Sequence, residues 1–92
     1  MFGDKKETSV KDIIASISEL RDDTTVPKNV KEKVQAVIQT LNDEKEELSM
    51  RIDKVLQILD GVAEDSNLQS YSRTQVWNIV SMLEKVTEQK AA

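Results

Sequence analysis

Cysteine and histidine are absent from the sequence, proline occurs once and glycine twice, and the aromatic residues are one phenylalanine, one tryptophan and one tyrosine. Without cysteine there is no disulfide and no thiolate nucleophile. Without histidine there is no imidazole metal ligand and no ordinary general base near neutral pH. No glycine-rich phosphate loop occurs. No stretch approaches the roughly 20 apolar residues needed to cross a bilayer, and no apolar run resembling a signal segment follows Met1, so a cytoplasmic location is expected. Blocks of one charge are missing too. The net charge of −4 comes from 17 acidic and 13 basic residues mixed along the chain, which argues against a polybasic or acidic tail. A chain of 92 residues fits a single small domain, and with so few aromatics its core must be aliphatic.

What is present is helical periodicity, in four segments. Val10, Ile13, Ile14, Ile17 and Leu20 share one face, with Ser9 and Asp12 as a plausible helix start. Val30, Val34, Val37, Ile38 and Leu41 share another, opened by Pro27, whose fixed φ suits a first helical turn. Leu48, Ile52, Val55, Leu56, Ile58, Leu59 and Val62 form the widest face, which suggests contact with two neighbours. Asp43 and Glu46 make a weak capping-box pattern at its start, and Gly61 lies near its end. Val76, Ile79, Val80, Leu83 and Val86 precede the polar end TEQKAA, where fraying is expected. Nothing alternates with period two, so no strand is predicted.

The second half echoes the first. A shift of about 42 residues, in the range of HEAT-type repeats, pairs Asp23 with Asp65, Thr24 with Ser66, Val26 with Leu68, Lys31 with Arg73, Val34 with Val76 and Leu41 with Leu83. The repeated unit is a helical hairpin, over about residues 9–42 and again over about 43–88. Two units are fewer than a solenoid needs, so the expected fold is all-α, a compact four-helix bundle built from two similar, HEAT-like hairpins. A homodimer remains open.

Trp77 aligns with the polar Gln35 and falls beside the apolar stripe of its helix. Two readings stand. It roofs the edge of the core, against a segment containing Phe2, or it is an exposed anchor, with Arg73 and Ser81 on the same flank, for a protein partner or a second copy. Arg73 could stack on its ring in either case. Tyr71 and Met82, on the opposite flank, read as finishing the edge of the bundle, and Met50 sits away from its apolar face.

The acids of NDEKEE, Asn42 to Glu47, could ligate a hard cation but read better as a solvated helix start, since no inward-facing acidic pair answers them. Lys28, Lys31 and Arg73 could form a modest phosphate-contacting edge for RNA, opposed by the interleaved Glu32 and the acidic turns. No catalytic, cofactor or metal residues emerge.

The stretches DDTTVPKNVKE, DEKEELSMRIDKVLQILD and SRTQVWNIVSMLE resemble a small archaeal family of uncharacterised proteins, number 0147 in the UPF series. The resemblance covers about Ile13 to Glu84 and implies an all-helical cytoplasmic protein with a compact four-helix arrangement; it brings no activity and no site residues. The function expected is a non-catalytic protein-interaction module or subunit of a larger assembly. The alternative is a weak RNA-binding accessory protein; no cofactor, small-molecule substrate or membrane partner is implied.

Overall fold

Each apolar stripe becomes the buried face of one helix. The computed structural model describes the chain over residues 5–91, with side-chain environments over 10–86. It contains α1 (Lys5–Asp22), α2 (Lys28–Asn42), α3 (Leu48–Ala63) and α4 (Ser70–Ala91), with no strand among the described residues. Val10, Ile13, Ile17 and Leu20 of α1 are at most 2% exposed, and Val30, Val34 and Val37 of α2, Val55 and Leu59 of α3 and Leu83 of α4 are sealed completely. The turns are too short for a crossover, so successive helices lie antiparallel as neighbours. Helix contacts run round a ring, α1 on α2, α2 on α3, α3 on α4 and α4 back on α1, with no diagonal pair among the described residues. This closure supplies within one chain the cover that an open pair of hairpins would lack. The result is an all-α four-helix bundle of 41 × 21 × 20 Å.

The junctions show a repetition finer than the sequence echo. All three interhelical turns have the same form, begun by Asp23, Asp43 and Asp65. In each, the aspartate amide bonds back to the preceding helix, at Leu20, Thr40 or Val62. Its carbonyl accepts the amide of Val26, Glu46 or Leu68. In each, the carboxylate accepts the amide two residues on: Thr25 at 2.8 Å, Lys45 at 3.1 Å and Asn67 at 2.8 Å. This is an Asx turn, which a short carboxylate makes well. Bonds from Thr25 hold the Asp23 carboxyl below its ordinary value, and bonds from the Asn67 amide and the Asn29 side chain do the same for Asp65. The recurring unit is one helix with its turn. The middle copy, at Asp43, divides the shift of about 42 residues that relates the hairpins.

Several expected boundaries move. Ser9 lies inside α1, which already includes Lys5. Pro27 is the residue before the first turn of α2, extended at φ −59° and ψ 150°, because the Asx turn delivers the chain to the helix in that conformation. Asp43 does not cap α3; that place falls to Glu47, without a side-chain bond, since the Asp43 carboxylate serves the turn before it. The polar end of α4 stays helical to Ala91, in keeping with the helix preference of Glu88, Gln89, Lys90 and Ala91.

Gly61 does not end α3, which continues to Ala63, and no glycine has positive φ among the described residues. A Cβ built on Gly61 meets nothing within 4 Å. Gly61→Ala is therefore expected to stabilise the fold by about 0.5–1 kcal/mol, the helix penalty of glycine. Thermal melting would show it as a rise of a few degrees; an unchanged or lower midpoint would contradict it.

Candidate functional site

On the flank of α4 that carries Arg73, Trp77 and Ser81, the first member is engaged with the end of α3. Arg73 Nε donates to the Ala63 carbonyl at 2.9 Å, and Nη2 donates to those of Asp65 and Leu68 at 3.0 and 3.1 Å. The guanidinium thus closes the end of α3, whose last carbonyls have no partner within the helix. One turn further on, Trp77 is 48% exposed, and Ser81 beyond it is also exposed. Trp77 is therefore not a roof sealed over the core. Phe2, its suggested companion, lies outside the described residues. The aligned Gln35 has a definite task, accepting a bond from Arg21 Nη1 at 3.2 Å that ties α1 to α2. Trp77 makes no such tie across α3 and α4 among the described residues.

Of the phosphate-contacting edge, Lys28 is exposed, Lys31 is half-buried and Arg73 is turned inward onto carbonyls. The edge reduces to two lysines, because a helix C-terminus competes for the arginine that would have completed it. Lys31 occupies the place in the first turn that Arg73 occupies in the third. It makes no hydrogen bond there among the described residues, although its charge contributes to lowering the Asp23 pKa. A lysine is a single flexible point of charge and cannot bridge several carbonyls as a planar fork does.

Sequence reasoning missed the middle member of this set, Arg51. It is only 5% exposed; its Nε donates to the Glu46 carbonyl at 3.0 Å and its Nη1 to the Leu41 carbonyl at 2.7 Å. Arg51 thereby does for the end of α2 what Arg73 does for α3. The signal was the interval from turn aspartate to basic residue, which spans eight positions from Asp65 to Arg73 and recurs between Asp23 and Lys31 and between Asp43 and Arg51. It was hidden because the buried plug of the outer turns, Val26 or Leu68, is Glu46 in the middle one.

The acids of Asn42 to Glu47 belong to that middle turn, where Glu46 pairs with Lys54. No group of three or more acidic side chains that could hold a metal is found among the described residues, and no helix among them is long and apolar enough to cross a membrane. On the α1 side of α4, Met82 packs against the core, but Tyr71 does not finish the edge: at 70% exposed it stands in solvent, in the first turn of α4 at the end of the bundle. Between α1 and α4 lies a groove of about 320 Å³ lined by Ser16, Glu19, Gln75, Asn78, Ile79 and Met82.

Comparison with known proteins agrees with the helical reading. A family model described as an uncharacterised protein family, UPF0147, matches residues 2–86. A UPF0147 protein of Thermoplasma volcanium is 39% identical over 84% of this chain and 86% of its own length. One from Methanocaldococcus jannaschii is 35% identical over 87% of this chain and 86% of its own. The crystal structure of a UPF0147 protein from Thermoplasma acidophilum superposes with a TM-score of 0.84 at 33% identity, covering 90% of this chain and 99% of that one.

Proposed function

The chain belongs to the uncharacterised protein family UPF0147, and from the half-exposed Trp77 we propose a non-catalytic protein-interaction module or subunit of a larger cytoplasmic assembly. The observation that carries this reading is Trp77. The core closes without it, its counterpart Gln35 is polar, and it presents about half its surface on a flank ended by the exposed Ser81. A large amphipathic ring held on a rigid helix loses little entropy on binding, which is why tryptophan is over-represented among interface hot spots. Arg73 supports this surface from beneath by holding the start of α4 to the end of α3.

The test uses Trp77→Ala. Affinity capture from a nuclease-treated archaeal lysate is expected to recover a protein partner, or a second copy, with the wild type and to lose it with the variant. The variant should keep its helicity and fall in stability by only about 1 kcal/mol, since half of the ring is already in water and alanine is the better helix former. Identical captures from both proteins would remove Trp77 as the anchor. Loss of the partner together with a collapse in melting temperature would make Trp77 part of the fold instead.

A further inference from the structure

We infer that the groove between α1 and α4 is a binding site for a small aliphatic amine in its ammonium form, separate from the Trp77 flank. Its polar lining comes from Ser16 and Glu19 on α1 and from Gln75 and Asn78 on α4; Ile79 and Met82 give it an apolar strip. Gln75 Oε1, on a residue that lines the groove, is buried and has no hydrogen-bond partner. Unpaired buried polar atoms are rare enough that each calls for an occupant, either a ligand or an ordered water.

The chemistry selects the occupant. Gln75 Oε1 accepts, so a ligand that donates would satisfy it. Glu19 adds a carboxylate that is in no ion pair among the described residues, and none of the six lining residues is cationic. Donor and positive charge together describe an ammonium. The strip of Ile79 and Met82 then suits an alkyl stem, as methionine commonly does at adaptable apolar sites. The volume of about 320 Å³ is near the lower end for small-molecule sites, about ten water volumes, and admits an amine of five or six carbons.

The probe is pentylamine, titrated at fixed ionic strength while backbone amide resonances are followed. Saturable shifts are expected in α1 around Ser16 and Glu19 and in α4 from Gln75 to Met82. Glu19→Gln should weaken binding about tenfold and Gln75→Leu several-fold, as removal of one partner from a charged hydrogen bond does. Glu84→Gln, which removes the same charge from an exposed position outside the groove, should leave it unchanged. The uncharged 1-pentanol should not bind. The inference is overturned by shifts that spread over the acidic surface without saturating, by equal effects of Glu19→Gln and Glu84→Gln, or by no response to pentylamine, which would leave the groove to water.

Discussion

Replacing Arg51 with alanine is expected to destabilise the bundle by about 3 kcal/mol, a fall in melting temperature of roughly 12–24 °C for a chain of this size. Arg51 is only 5% exposed, and its guanidinium gives hydrogen bonds to the carbonyls of Leu41 and Glu46. Bonds from a charged donor contribute about 1.5–3 kcal/mol each. Deletion strands the Leu41 carbonyl at the end of α2, where no residue further along the helix can pair it. It also removes the alkyl stem from the packing. The desolvation of a buried cation opposes these gains, and that keeps the estimate at the low end of the sum of the bonds. Arg51→Lys separates the contributions: charge and stem remain, but one ammonium cannot follow the fork to both carbonyls, so about half the loss should persist. Thermal melting of the two variants checks this. An alanine variant that melts within a degree or two of wild type would mean that desolvation cancels the bonds.

The cation that follows each of the three similar turns, Lys31, Arg51 or Arg73, is engaged to a different extent. Arg73 makes three carbonyl bonds but is only half-buried, and Lys31 makes none. The first turn has other support: Thr25 bonds Asp23 through both amide and hydroxyl, at 2.8 and 2.7 Å. Pro27 restricts its exit, and Asn29 just beyond donates to Asp65 at 2.8 Å, joining the first and third turns at one end of the bundle. A turn secured in these ways has less need of a bridging guanidinium.

How much of this could be read from sequence follows from which forces leave a periodic trace. Burial does: Ile17, Val34, Leu59 and Leu83 recur at helical spacing, and the structure puts all four in the core. Turn chemistry leaves a fainter trace. Asp23 and Asp65 were legible because apolar plugs follow both; Asp43 was not, because Glu46 stands in the plug position and made the segment look like a charged helix start. Arginines that bond carbonyls leave almost none, since Arg51 and Arg73 are written with the same letter as solvated surface residues. Pattern alone therefore leaves Arg73 looking available to a partner. The exposure of Trp77 lay beyond the pattern as well: angle alone puts it beside the stripe, and whether a neighbouring helix covers it depends on how closely α3 and α4 approach.

Truncating the core should exceed every surface effect. Leu59→Ala is expected to cost about 2–5 kcal/mol, a large share of the 5–15 kcal/mol that holds a typical domain together. Leu59 is 0% exposed in the core, on α3, which packs on both α2 and α4, so its truncation leaves a void that only a shift of the surrounding core could fill. Denaturant unfolding would show the loss as a lower midpoint at an unchanged slope. Set beside Trp77→Ala in the same assay, the variant also bears on function. A ring about half in water should cost several-fold less than a sealed leucine, and that gap is what assigning Trp77 to a partner requires. If the two substitutions destabilise equally, the tryptophan is holding α4 in place, and the interaction reading loses the residue on which it stands.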